Sequence, residues 1–363
     1  MSIAQSPPSD PTVAADNRPS WNRFWFTPSQ PHTLALIRIL GGSMLFYTHL
    51  IWSLDLEAFL GKDAWIGTSL SRELSERGMP YAWSVFWYIE SPSVLWATHI
   101  AALVVFAMLT LGLFTRFSSI AAFILTLSYC HRLQGALYGL DQVNALLATY
   151  LMIGSCGAVY SLDQLRNART SRTAAAAKTT ATVGNTIAIR LIQIHLCVIY
   201  FFGGISKLKG IDWWDGSALW MALSNYEYQS LDMTWLIGYP AIIALMTHVT
   251  VIWETFYCVL IWPRYSRWIM LSMAVLVHGG IGLAMGMPTF GLAMLIANLA
   301  FLEPAFVERL ITRITRSRKQ SEIPADPVLL TKPAPKSSPR ETANPERRRW
   351  KNQGTTKIQA SRG

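Results

Sequence analysis

Nine ionisable side chains fall within or at the ends of long apolar runs: Arg38, Asp141, Lys207 and Glu254, together with His49, His99, His195, His248 and His278. Charge in hydrocarbon is costly and usually faces a partner or a cavity. Helical spacing sorts several of these residues into stripes. Arg38, Gly42, Leu45 and His49 share one face of a first segment. Gln193, Cys197, Tyr200, Gly204 and Lys207 follow the same period in another, and Thr247, Thr250 or Val251, Glu254 and Tyr257 in a third. Asp141 and Asn144 are three residues apart. Such stripes are expected to converge on one interior pocket. The plainer alternative is interhelical ion pairing, for example Arg38 with Asp141 or Glu254.

Lys207 stands out chemically. It ends an apolar run, follows Gly203-Gly204 and precedes the aromatic stretch Ile211-Asp212-Trp213-Trp214-Asp215-Gly216. A desolvated lysine loses its proton readily and can serve as a base or nucleophile. A lysine whose head reaches from a helix end into the interface is the structural alternative. Metal chemistry has little support: no two histidines are closer than 17 residues, so no single helix turn offers a ligand pair. Cys130, Cys156, Cys197 and Cys258 show no CxxC spacing and read as small apolar packing residues.

The elements that must position these groups are membrane helices. Only 14% of the 363 residues are charged and 52% are hydrophobic, where soluble chains carry about a quarter charged residues. Residues 94–114 contain no Lys, Arg, Asp or Glu, and a span needs roughly 20 apolar residues. Further segments lie at 33–54, 117–130, 137–160, 186–206 and 235–262. The 35 uncharged residues between Arg267 and Glu303 would make one helix far too long for a bilayer. Gly286-Met287-Pro288 divides them into two. The fold class expected is therefore an all-α, multi-pass helical bundle of about eight spans.

Basic residues then orient it. With the N-terminus inside, Arg116, the Arg166-to-Lys178 segment, Arg264, Arg267 and the C-terminal tail all fall on the inner side. The expected location is the cell (inner or plasma) membrane with both termini cytoplasmic. The outer segments 55–93 and 207–232 are rich in Trp and Tyr and suit interfacial or re-entrant helices.

Three regions follow: a disordered tail at 1–30, a transmembrane domain at 31–304, and a basic amphipathic helix with a disordered tail at 305–363. Trp21, Phe24, Trp25 and Phe26 suit an aromatic anchor at the membrane surface. Residues 305–363 hold 14 Lys/Arg against 5 Asp/Glu, so nearly all of the net charge of +10 belongs to that tail. Its partners are expected to be the bilayer and anionic lipid headgroups rather than nucleic acid.

The stretch from Gln193 to Gly216 resembles the vitamin K-dependent gamma-carboxylase family, and the chain is similar more closely to the HTTM (horizontally transferred transmembrane) proteins that share the carboxylase's membrane domain. The matching positions are Tyr200, Phe201, Gly203, Gly204, Ile205, Lys207 and Leu208, then Trp213, Trp214, Asp215 and Gly216. Arg38-Ile39-Leu40-Gly41, Tyr160-Ser161-Leu162-Asp163, Thr247-His248, Trp253-Glu254, His278 and Thr289-Phe290-Gly291 extend the resemblance over about 31–304.

In the carboxylases a lysine at the position of Lys207 acts as base toward a reduced quinone. Oxygenation then gives an epoxide and a strong base that deprotonates a glutamate side chain, to which carbon dioxide adds. The resemblance thus implies a reduced vitamin K-type quinone as cofactor and Lys207 as base. Asp141, His248, Glu254 and His278 would orient groups or relay protons, with Tyr200, Trp213 and Trp214 beside the cofactor and Arg38 as a counter-charge. Asp141 stands near where the carboxylases place a functional histidine, and a basic tail follows the spans where they carry a lumenal domain. The alternative function is a non-enzymatic membrane protein that binds or exports a small lipid or peptide through the same pocket.

Overall fold

The computed structural model describes residues 18–170 and 181–321. Residues 1–17, 171–180 and 322–363 lie outside that description, and with them the expected terminal disorder and the Arg347-Arg348-Arg349 run.

The described residues form helices in the order α1 Ser20–Phe26, α2 His32–Trp52, α3 Leu56–Leu60, α4 Thr68–Gly78, α5 Pro92–Leu111, α6 Thr115–Arg132, α7 Gly139–Leu151 and α8 Leu162–Thr170. There follow α9 Val183–Lys207, α10 Ile211–Trp214, α11 Ala218–Leu223, α12 Pro240–Leu260, α13 Arg264–Ala284, α14 Pro288–Asn298 and α15 Pro304–Ser321. Every segment expected to span carries a helix. Five helices are long and apolar enough to cross a bilayer on their own, starting at His32, Pro92, Val183, Pro240 and Arg264.

α6 and α7 do not meet that test. α6 buries Ser118, Ser119, Thr126, Ser128, His131 and Arg132, which dilutes its apolar character. α7 stops at Leu151, and residues 152–160 turn instead of continuing the helix expected to 160. The turn expected at 286–288 is present: Gly286 takes φ +67°, and Pro288 opens α14, where its missing N–H costs nothing. After α14 a short 3-10 turn, Leu299–Phe301, leads to a 117° bend before α15.

Two large apolar cores lie side by side, and a smaller third cluster gathers Leu223, Leu236, Ile243 and Ala284. One large core joins α7, α9, α12, α13 and α14 around Leu147, Tyr200, Tyr257 and Ala297; the other joins α5 and α6 around Phe86, Phe106 and Tyr129. α2 serves both, through Ile37 and Met44 on one side and Leu45 on the other.

Arg38 is fully buried, yet its partners are not carboxylates. Its guanidinium donates to the carbonyls of Leu109 (2.9 Å), Thr110 (3.0 Å) and Tyr160 (2.6 Å). Leu109 and Thr110 close α5, whose last carbonyls have no partner within the helix. The expected counter-charge role toward Asp141 or Glu254 is thereby corrected: Arg38 is a helix-end cap.

Asp163 does the reciprocal work at the start of α6. Its carboxylate accepts from the backbone N–H groups of Phe114 (3.0 Å) and Thr115 (2.7 Å) and from the Thr115 hydroxyl (2.7 Å). Partial burial alone would raise its pKa, but these donors, with Arg166 nearby, outweigh burial and hold it below the usual carboxylate range.

The segment 55–93 is fastened to the end of α6. Arg132 donates to the carbonyls of Ile66 and Gly61, while Ser71 and Ser75 donate to those of Arg132 and His131. At the N-terminus, Trp21 is exposed as an anchor would be, but Phe24 stacks on the Arg190 guanidinium 4.2 Å away and packs on Trp262. The stretch expected to be a tail thus ends in a helix, α1, tied to the bundle.

Candidate functional site

α9 and α12 approach closely because Gly204 carries no side chain. A Cβ there would fall 2.7 Å from the backbone nitrogen of Thr255, well inside van der Waals contact. This approach sets Lys207 Nζ 2.6 Å from Glu254 Oε2. The two side chains are 24% and 13% exposed. The Trp213 ring lies 5.3 Å from the ammonium, within cation–π range. Gly203 leaves the pair uncovered on one side: a Cβ there would meet Glu254 Oε2 at 3.3 Å and Lys207 Nζ at 3.9 Å.

Beneath this pair runs a buried chain of hydrogen bonds through four helices. Tyr257 donates to Asn298 Oδ1 (2.5 Å), Asn298 Nδ2 bonds Tyr200 Oη (2.9 Å), and Tyr200 Oη bonds His278 Nε2 (2.7 Å). Its direction follows from chemistry. Asn298 Nδ2 also donates to the carbonyl of Met294 at 2.9 Å, so that atom must be the nitrogen. Tyr200 therefore accepts from Asn298 and gives its own proton to His278 Nε2. A neutral His278 then carries its hydrogen on Nδ1, which is buried without a partner. The chain ends in an unused donor.

Aromatic packing holds this arrangement. Tyr200 and Tyr257 lie 4.1 Å apart between ring centroids, and Trp253 stands 5.0 Å from Tyr200 and 6.2 Å from His278.

His248 and Trp214 stand apart from this cluster. His248 Nε2 bonds the Trp214 carbonyl at 3.1 Å, and the exposed Trp214 indole donates to the carbonyl of Leu208. Thr247 bonds the Gly216 carbonyl. These contacts fold the segment after α9 back onto α12. Asp215 caps the turn beyond, and its hydrogen bonds from the Ser217 hydroxyl and N–H hold its pKa below the ordinary carboxylate value.

Asp141 is also elsewhere. It is the third residue of α7, where it forms a reciprocal capping box with Tyr138 and accepts that residue's N–H at 3.1 Å. With His49, Tyr129, Cys130 and Asn144 it lines a small separate void. His99 bonds Tyr129 and Ser53, and His195 bonds Tyr150. The polar stripes thus divide into several clusters instead of meeting in one pocket. Lys207, Glu254, Tyr200, Trp213 and His278 come together; Asp141, His248 and Trp214 do not join them. Among the described residues no group of three or more His, Cys, Asp or Glu could hold a metal ion.

Asn298 was missed in the sequence, although a lone amide in the apolar run AMLIANLAFL is the kind of signal that marks a buried partner.

Among the described residues, a helical bundle with several membrane-length helices and a partly buried Lys–Glu pair between two of them defines a polytopic membrane protein. A profile of the HTTM domain matches residues 26–306. The chain belongs to the HTTM domain family, a membrane-domain family related to gamma-carboxylase. No curated protein and no solved structure matches the chain.

Proposed function

We propose that this protein is a membrane-embedded enzyme of the gamma-carboxylase-like class, acting on a reduced quinone or another lipid-soluble molecule with Lys207 as base. The observation that carries this reading is the Lys207–Glu254 pair at 2.6 Å, desolvated on most sides.

A lysine held as a cation is no base, and the pair answers that difficulty. Moving one proton from Nζ to Oε2 converts the ion pair into a neutral amine beside a neutral carboxyl. Away from water the two forms lie much closer in energy than in solution, because the ion pair loses its hydration. Glu254 would store the proton that Lys207 must shed, and Lys207 Nζ would then accept one from the reactant.

The residues suit a planar aromatic reactant. Trp213 offers a ring face beside Nζ, the absent side chain of Gly203 leaves an approach, and Phe201 and Phe202 are exposed on the same helix end. A reduced naphthoquinone, when bound, supplies an acidic ring hydroxyl and the electrons for oxygen-dependent epoxidation. The Tyr200–Asn298–Tyr257 chain would hold the buried His278 imidazole in one tautomer, so that His278 acts as a positioning residue behind the Lys207–Glu254 pair.

The topology that accompanies this reading has eight membrane segments, both termini cytoplasmic and Lys207 toward the outer face. The basic tail beyond residue 305 would lie on anionic lipid. Both rest on the distribution of Lys and Arg.

The second reading, binding or export of a small lipid or peptide without chemistry, draws on the same ion pair used as a fixed polar anchor. Purified protein in detergent, supplied with reduced naphthoquinone and oxygen, separates the two. Epoxide formed by the wild type and lost in Lys207→Ala supports the enzyme. No turnover across several quinols by a well-folded protein supports the binder.

A further inference from the structure

At the far end of α9 from Lys207 lies a second polar site. A cleft of about 270 Å³ opens between the residues before α2, the first turns of α9 and α13, and the bend before α15. Arg190 and Arg267 both line it, together with Thr33 and Gln193, and Trp262 and Phe301 form apolar walls.

Each guanidinium is anchored but not saturated. Arg190 donates from Nε to the carbonyl of Phe24 (3.3 Å) and from Nη1 to Gln193 Oε1 (2.9 Å). Its group is sandwiched by aromatic rings, 4.2 Å from Phe24 and 5.9 Å from Trp262. Arg267 donates from Nη2 to the carbonyl of Trp262 (3.0 Å), and its Nη1 lies 3.5 Å from Glu303 Oε1. The Nε of Arg267 is buried with no partner.

The charges in this cleft do not balance. Two guanidinium groups share it with one carboxylate, Glu303, whose side chain is 70% exposed. Arg267 also occupies the first turn of α13, the positive end of the helix dipole, where a cation is disfavoured. One further negative charge would relieve both strains. Paired planar guanidinium groups match the oxygens of a phosphate.

The surroundings indicate where that phosphate comes from. The cleft borders the start of α15, whose Phe306, Leu310 and Ile314 are exposed on the same helix as Arg309 and Arg313. That is the composition of a helix lying in a bilayer interface. A zwitterionic headgroup would bring another cation into a site that already has one in excess. We propose that this cleft binds the phosphate group of an anionic phospholipid, held by Arg190 and Arg267, with Trp262 and Phe301 against the lipid's apolar part.

Thermal melting of the delipidated full-length protein in detergent tests this, with phosphatidylglycerol, phosphatidylcholine or inorganic phosphate added at equal concentration. Phosphatidylglycerol is expected to raise the melting temperature by about 2–5 °C, with no comparable shift from phosphatidylcholine or phosphate. Arg267→Gln and Arg190→Gln should each abolish the shift. The double variant Arg309→Gln/Arg313→Gln should keep it, which separates the cleft from the amphipathic helix.

A shift that survives both cleft variants, or one that phosphatidylcholine produces equally, overturns the proposal. An equal shift from inorganic phosphate overturns the lipid assignment and leaves a free-anion site. Native mass spectrometry of the wild type gives a readout that needs no variant. One retained phosphatidylglycerol that resists exchange by phosphatidylcholine is expected, and ready exchange refutes the site.

Discussion

Tyr200 and His278 are joined hydroxyl to imidazole at 2.7 Å, and the other nitrogen of that imidazole is buried with no partner. Removing the Tyr200 hydroxyl leaves His278 Nε2 and one Asn298 N–H unpaired inside the bundle. Tyr200→Phe should therefore lower stability by about 1–3 kcal/mol. It should also free the imidazole to change tautomer. On the enzymatic reading, turnover falls at least about tenfold while the apparent affinity for the quinol changes less. Melting curves and steady-state kinetics on the same preparation check both parts.

The Lys207–Glu254 pair makes a prediction about charge against proton transfer. Lys207→Arg keeps the cation but cannot shed its proton at ordinary pH. Glu254→Gln keeps a hydrogen-bond acceptor but cannot store a proton. If Lys207 is a base, both substitutions should lower turnover by about 10²-fold or more. If the pair is an anchor for a bound molecule, Lys207→Arg should retain most of the binding. Direct binding of a radiolabelled or fluorescent quinone, run beside the epoxidation assay, tells the two results apart.

Gly204 sets the distance between α9 and α12, since a Cβ there would crowd Thr255 Oγ1 at 2.5 Å and its backbone nitrogen at 2.7 Å. Backbone cannot swing aside as a side chain can. Gly204→Ala should cost about 1–3 kcal/mol through overpacking, although alanine is by itself the better helix former. Gly184, whose nearest neighbour would be 3.3 Å away, serves as the comparison and should respond less. Denaturation in a mild detergent with graded SDS measures the difference.

Asp163 predicts an acid limb to stability. Its pKa lies below the unfolded value because the hydrogen bonds from Thr115 and Phe114 outweigh the opposing effect of burial. A carboxylate with a depressed folded-state pKa stabilises above its unfolded pKa of about 3.9 and loses that contribution as pH falls toward the folded value. Wild-type melting temperature should thus drop between about pH 5 and pH 3. Asp163→Asn should start lower at neutral pH and fall less over that interval.

Much of the bundle was legible because hydrophobicity leaves a long signature. The run at 94–114 and the Gly286-Met287-Pro288 break became α5 and the α13–α14 turn. The grouping of polar residues was less legible, since helical spacing tells which residues share a face but not which face meets which. Lys207 and Glu254 were both visible as charges at membrane depth, yet nothing in their spacing paired them with each other. Arg38 was misread for a related reason. Its partners are main-chain carbonyls, and every residue has one, so no sequence pattern marks them. Asp141 announced a charge but not that its carboxylate would be occupied at the start of its own helix.

Arg38 also constrains the order in which the chain can be completed. Its carbonyl acceptors lie 71, 72 and 122 residues further along the sequence. At about 5–20 residues per second, the ribosome reaches the last of them only after about 6–24 s. Until then α2 must sit at the membrane with a guanidinium whose set of permanent partners is incomplete, the Leu109 and Thr110 carbonyls coming first and that of Tyr160 last. Because Arg38 is only the seventh residue of its helix, its side chain can reach toward the headgroups while it waits. α2, the first membrane-length helix to be made, is thus not locked when it emerges, and its final seating depends on the arrival of the turn at Tyr160.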